Sequence, residues 1–148
     1  MIPLTERAKD VIEIARREAM DLRHDHVGTE HVLLAILREG GGIAAKLTEK
    51  LHLKVELIRK SVSMLNPVSP KPPATSPNQL PHSHRLRTAL KLAEEEAGKL
   101  GHEGVGIAHL FLGLTGDEQG KAALILINLG LNLKETRADI LQKLASPA

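Results

Sequence analysis

The stretch "HVGTEHVLLAIL", residues 26–37, sets a compact polar group, Gly28-Thr29-Glu30-His31, directly before a wholly apolar run. It has a counterpart in "GVGIAHLFLGL", residues 104–114. There Gly28 finds Gly106 and His31 finds His109, but Thr29 has become Ile107 and Glu30 has become Ala108. The correspondence extends outward from these two stretches. Displaced by 78 residues, the sequence aligns 5–65 with 83–143 without a gap, and 16 of the 61 pairs are identical, among them Arg7/Arg85, Glu18/Glu96, His24/His102 and Gly42/Gly120. Identity sustained at one fixed offset marks an internal duplication. The carboxylate has been kept in one copy only.

Between the copies lies "NPVSPKPPATSPNQLP", residues 66–81, which holds six of the eight prolines in the chain. Proline lacks an N–H and fixes φ, so this segment predicts an extended linker across the surface rather than helix or central strand. Within each copy the apolar period is helical. Ala8, Val11, Ile12, Ala15, Ala19 and Leu22 recur at steps of three and four, one face of a helix over 5–22. Thr5 and, in the second copy, Ser83 stand where an N-cap belongs, and Thr29 is expected to cap the next helix, 30–38. Gly40-Gly41-Gly42 stops that helix. Two more helices follow, from Ile43 to about Leu51 and onward to about Leu65. The second copy predicts helices over 84–100, 107–115, 121–129 and 133–145. No segment sustains a period of two. The expected fold is all-α: two four-helix repeats, 3–65 and 82–145, packed as a pseudo-twofold pair in a single domain over 1–148.

Composition narrows the function classes. The core is aliphatic, with Phe111 the one residue among Phe, Trp and Tyr, which argues against stacking bases on aromatic platforms. Net charge is +2 with 20 basic and 18 acidic residues and no dense basic block, so nucleic acid is not an expected partner. The absence of cysteine removes disulfides and thiolate zinc sites. The charged N-terminus "MIPLTERAKD" lacks an apolar signal core, and the longest apolar stretch, 122–133, is interrupted by Asn128, Gly130 and Asn132. A soluble cytoplasmic protein without membrane contact is the expectation.

Catalytic motifs are missing. No serine sits in a GxSxG elbow, and "REGGGIAAK", 38–46, lacks the GxxxxGK[ST] spacing of a phosphate-binding loop. The expectation is no enzyme and no cofactor. "HDHVGTEH" gathers His24, His26 and His31 with Asp25 and Glu30, donors that suit zinc or nickel. His24 and His31 recur as His102 and His109 while the possible co-ligands do not, so the histidines read as hydrogen-bonding groups of the turn and core edge. A small helical metal-binding protein or enzyme built on His24, His26 and His31 stays open as the alternative. Thr5 and Glu30 remain, each at a helix start. Helix N-termini favour an anion and a carboxylate favours a guanidinium or ammonium, so the two together suit a ligand carrying both charges. The simpler reading, a cap and a first-turn dipole residue, is the one that physics alone favours.

The stretch "LTERAKDVIEIARREAMDLRHDHVGTEHVLLAILREGGGIAAKLTEKLHL" resembles the first repeat of the Clp amino-terminal domain found in ClpC-type ATPases. Thr5-Glu6-Arg7-Ala8 and Gly28-Thr29-Glu30-His31 match the family's T-E-R-A and G-T-E-H, and the likeness spans 3–145, with a more divergent second repeat. The sequence departs from the pattern at Leu4, where relatives often carry an aromatic, and at Arg23, where they carry the glycine that Gly101 keeps in the second copy. The resemblance implies a module that binds Clp adaptor proteins and substrates for a AAA+ unfoldase feeding a ClpP-type protease core. It also implies phosphoarginine as a ligand, the Glu of G-T-E-H meeting the guanidinium and the Thr of T-E-R-A lying by the phosphate. The first site maps to Thr5 and Glu30, and a degenerate second to Ser83 and Ala108. No Walker A motif is present, so the expectation is an isolated amino-terminal domain of an ATPase or a stand-alone relative.

Overall fold

The computed structural model describes residues 2–70 and 76–145. They form α1 (Glu6–Asp21), α2 (Thr29–Glu39), α3 (Ile43–Leu51), α4 (Val55–Leu65), α5 (His84–Lys99), α6 (Ile107–Thr115), α7 (Lys121–Asn128) and α8 (Leu133–Ala145). A turn of 3-10 helix, Pro77–Gln79, precedes α5. The fold is all-α, as the two helical periodicities predict. Of the linker, 71–75 lies outside the described residues; its later part takes the 3-10 turn, which the proline pattern did not suggest, and packs beside α1, where Arg16 donates to Asn78 Oδ1 at 3.3 Å.

Helix starts follow the sequence, with one exception. Thr5 Oγ1 accepts the Ala8 N–H at 3.2 Å and Ser83 Oγ accepts the Leu86 N–H at 3.1 Å, each satisfying a donor that the first turn leaves unpaired. Thr29 is not a cap of α2. Gly28 is the N-cap, and Thr29 is the first helical residue with its hydroxyl directed elsewhere. Arg23 adopts φ 59°, the left-handed conformation that Gly101 takes in the second copy at φ 72°. The departure from the family glycine therefore leaves the turn unchanged and places a side chain in a conformation glycine tolerates better.

Helices α2 and α6 lie at the centre. From Val32 to Leu37 every residue of α2 is buried, as are Leu110, Phe111, Leu112 and Leu114 of α6. Burial on all sides explains why these helices read as continuous apolar runs rather than stripes. Helix α1 covers α2 with Ala8, Val11, Ala15 and Ala19, and α5 covers α6 with Leu86, Ala89, Ala93 and Ala97. The second contact is the closer one. A Cβ on Gly113 would lie 2.1 Å from the Ala89 carbonyl oxygen, so α6 approaches the α5 backbone where only glycine fits.

The repeats are laced together at their entries. The Thr5 N–H donates to the Val105 carbonyl at 3.0 Å and the Val105 N–H to the Pro3 carbonyl at 2.8 Å. The same pattern recurs with the roles exchanged: the Ser83 N–H donates to the Val27 carbonyl and the Val27 N–H to the Pro81 carbonyl, both at 2.8 Å. Each repeat thus begins by pairing with the loop between the first two helices of the other.

Candidate functional site

This crossed pairing decides which residues meet. Thr5, at the start of α1, faces the start of α6 and not that of α2. It lines a cavity of about 480 Å3 with Gly106, Ala108, Gly42 and Ile43, and its methyl lies 3.0 Å from where a Cβ on Gly104 would stand. Ser83, at the start of α5, is bound instead to Val27, three residues before Glu30. The expected partners are therefore exchanged: Thr5 and Ala108 share one pocket, and Glu30 belongs to the side that Ser83 enters. The physical reason is the pair of inter-repeat bridges, which a reading of each repeat by itself does not contain.

Glu30 is 2 % exposed. Its carboxylate turns back over Gly28, where a Cβ would lie 2.1 Å from Oε1. Asn66 Nδ2 donates to Oε2 at 2.7 Å, and Lys121 Nζ, which donates to Asn66 Oδ1 at 2.6 Å, stands 3.7 Å from the same carboxylate oxygen. The His26 imidazole faces Oε2 at 3.8 Å. Burial alone would raise the carboxyl's pKa. The facing His26, the charge His31 carries when protonated and the Asn66 amide outweigh that effect and hold it at about 2. Glu30 is therefore an anion throughout the physiological range. Beside it the Thr29 hydroxyl accepts the Ala122 N–H at 3.2 Å. Ala122 is in the first turn of α7, whose N-cap Gly120 has no side chain to offer. Thr29 thus caps a helix of the other repeat, and Lys121 from that helix start meets Glu30.

Four residues, Thr29, Glu30, Asn66 and Lys121, form one polar clamp of α7 onto α2. Shifted by 78, they become Ile107, Ala108, Leu144 and Ile43, and all four polar groups are lost together. The carboxylate kept in one copy thus faces Lys121 at the start of α7. Asn66 and Lys121 were not singled out from the sequence. The signal was the correlated change of polar to apolar at 29/107, 30/108 and 121/43 in the self-alignment, legible once α2 and α7 are known to touch, while Asn66 lies one residue past the end of that alignment.

The histidines kept in both copies have a shared task. The Gly28 N–H donates to His31 Nδ1 at 2.9 Å, and His31 Nε2 lies 2.8 Å from His24 Nδ1. Since Nδ1 of His31 is an acceptor, a neutral His31 carries its proton on Nε2 and donates it to His24. Gly106, His109 and His102 repeat the chain of bonds, each at 2.9 Å. Burial pushes His31 down to about 4 and lowers His24 and His109 too. Both nitrogens of His31 are thereby engaged in hydrogen bonds. Among the described residues no three His, Asp or Glu side chains are grouped to hold an ion. A second motif residue, Arg7, pairs with Glu39 through two contacts of 2.7 Å, and Arg85 meets Asp117 at the equivalent place through a single contact.

Residues 3–129 and 81–147 match the family described as the Clp repeat (R) N-terminal domain. The chain belongs to that family. It is 42% identical over 142 residues to the negative regulator of genetic competence ClpC/MecB of Bacillus subtilis and 41% identical over 142 residues to the chaperone protein ClpB of Oceanobacillus iheyensis. Each match covers 96% of this chain and 17% of the relative, so the chain spans about a sixth of those proteins. Two solved structures share the fold. The N-terminal domain of ClpD from Arabidopsis thaliana has a TM-score of 0.79 at 23% identity, covering 97% of this chain and 95% of that one. The Hsp104 N-terminal domain from Candida albicans has a TM-score of 0.77 at 16% identity, covering 98% and 93%. The Clp N-terminal domain is thus a module of Clp ATPases, and among its described residues no helix is long and apolar enough to cross a membrane.

Proposed function

We propose that this Clp N-terminal domain recruits adaptor and substrate proteins to a cytoplasmic Clp AAA+ unfoldase coupled to a ClpP-type protease, without catalysis of its own, and that phosphoarginine is a ligand class it recognises at Glu30. The observation that carries the ligand reading is the Glu30 carboxylate, ionised and buried at a helix start, whose cationic neighbour Lys121 has a side chain 40% exposed. An ammonium on a flexible stem is the kind of partner that a guanidinium displaces, because the guanidinium makes two parallel hydrogen bonds to one carboxylate. The hydroxyl on that side is Ser83, while Thr5 belongs to the pocket of Ala108.

Calorimetric titration with free phosphoarginine tests this. The expected stoichiometry is near one. A charge-assisted contact is worth about 1.5–3 kcal/mol, so Glu30→Gln, which keeps the shape, should weaken binding by about one to two decades. Ser83→Ala should weaken it and Thr5→Ala should not. Two equal sites, no binding, or a loss on Thr5→Ala alone would overturn the assignment. Recruitment itself is read separately, by retention of purified Clp adaptors on the immobilised domain.

A further inference from the structure

Glu30 is already covered by the chain itself. The Asn66 amide lies directly on it: Nδ2 donates to Oε2 at 2.7 Å, and reaches the Val62 carbonyl at 3.4 Å, while Oδ1 accepts from Lys121 Nζ at 2.6 Å. Asn66 differs in kind from the rest of the clamp. Thr29, Glu30 and Lys121 are held in helices. Asn66 is the C-cap of α4 in an extended conformation, φ -128° and ψ 137°, and opens the segment Asn66-Pro67-Val68-Ser69-Pro70. Asn66 is buried, whereas Pro67, Val68 and Pro70 are exposed. The two prolines have no N–H with which to fasten the chain. The Ser69 N–H ties it to the Arg23 carbonyl at 2.7 Å. In the second copy the helix does not stop here: α8 runs on to Ala145 and carries Leu144, the residue 78 places after Asn66, in its last turn. Asn66 can therefore leave its site without unwinding a helix, and its counterpart cannot.

We infer that residues 66–70 form an autoinhibitory strap, in which the Asn66 carboxamide occupies the place on Glu30 that a ligand guanidinium takes, so that the ligand binds once the strap has swung out. The amide gives the carboxylate one N–H and no charge. A guanidinium gives it two parallel N–H groups and a positive charge, so the exchange at Glu30 favours the ligand. Lys121, bonded to Asn66 Oδ1, is released with the strap. Since the open state is a fraction of the population, the closed strap lowers the apparent affinity by that fraction. The strap rests on the phosphoarginine reading proposed above and regulates the same site.

Two measurements with free phosphoarginine test it. In calorimetry, Asn66→Ala should bind about threefold to tenfold more tightly than wild type, although it removes hydrogen bonds and lowers the thermal midpoint. Adding Glu30→Gln to that variant should abolish the gain. In amide hydrogen exchange of the wild-type chain, saturation with the ligand should speed exchange at Ser69 about fivefold or more, while the Ala122 amide, held by Thr29, keeps its rate. A residue that only braces α7 predicts the reverse, with weaker binding in Asn66→Ala and a slower Ser69 amide in the complex. Should Asn66→Ala fail to fold, Ser69 exchange in the wild type decides. Unchanged or weaker binding in Asn66→Ala, or a Ser69 amide that slows or keeps its rate, would overturn the strap. If Glu30→Gln still weakens binding in that case, the ligand reading stands without it. Absence of binding in both wild type and Asn66→Ala, or Glu30→Gln binding as well as wild type, would overturn both.

Discussion

At the scale of single residues, His31 couples stability to pH. Its imidazole accepts the Gly28 N–H and donates to His24 with 0% of its surface exposed, so a second proton has to break a bond and charge a buried ring. Burial holds its pKa at about 4, against 6.5 in the unfolded chain. Between those values the unfolded state carries a proton that the folded state does not. Stability is therefore complete above about pH 6.5 and declines as pH falls toward 4, by about 3 kcal/mol in the limit. Glu30 continues the loss below 4.5, its folded value being about 2. His26, raised chiefly by its contact with Glu30, works in the opposite sense, so the informative comparison is between variants. Urea midpoints measured from pH 7.5 to 4.5 should fall with acid in the wild type and fall less in His31→Asn, whose amide oxygen can still accept from Gly28. Equal slopes would show that the histidine pair is not the sensor.

At the scale of elements, the packing of α5 on α6 turns on one glycine. The Cβ missing from Gly113 would meet the Ala89 carbonyl oxygen at 2.1 Å and the Ala93 nitrogen at 3.1 Å. Those are backbone atoms and cannot rotate away, so any side chain separates the helices. Gly113→Ala should cost about 1–3 kcal/mol despite the better helix propensity of alanine, read as a lower thermal midpoint. A variant as stable as wild type would mean that α5 shifts without penalty. The first copy carries Ala35 at the same place, and the glycine's role is invisible in sequence because a lone glycine in a helical run reads as a weak helix former.

At the scale of the whole molecule, the repeats interlock rather than sit side by side. Each entry strand-like segment pairs with the other repeat, Thr29 caps α7, and the buried α2 packs against α7 and α6. A repeat taken alone would expose the apolar surface of α2 to water and leave those backbone groups unpaired. Residues 1–70 expressed by themselves should lack a cooperative thermal transition, and mixing them with 76–148 should restore one. A cooperative transition in the first fragment alone, within a few degrees of the intact protein, would show that the repeats fold independently.

The sequence by itself determined the local structure and the duplication. Helical periods, caps at Thr5 and Ser83 and the glycine stop at 40–42 act within a few residues, and identity at one offset exposes the repeat without any contact being known. It also carried the family motifs. It did not determine which motif residues share a pocket, because the bridges Leu4 to Val105 and Val27 to His82 join segments far apart in the chain. Thr29 was expected to cap its own helix, since sequence logic assigns a hydroxyl to the nearest free N–H. In the folded chain the nearest unpaired N–H that it serves belongs to α7, 93 residues away. Which donors and charges become neighbours is settled only when the helices pack, and here packing gave Glu30 to Lys121 and left Thr5 facing Ala108.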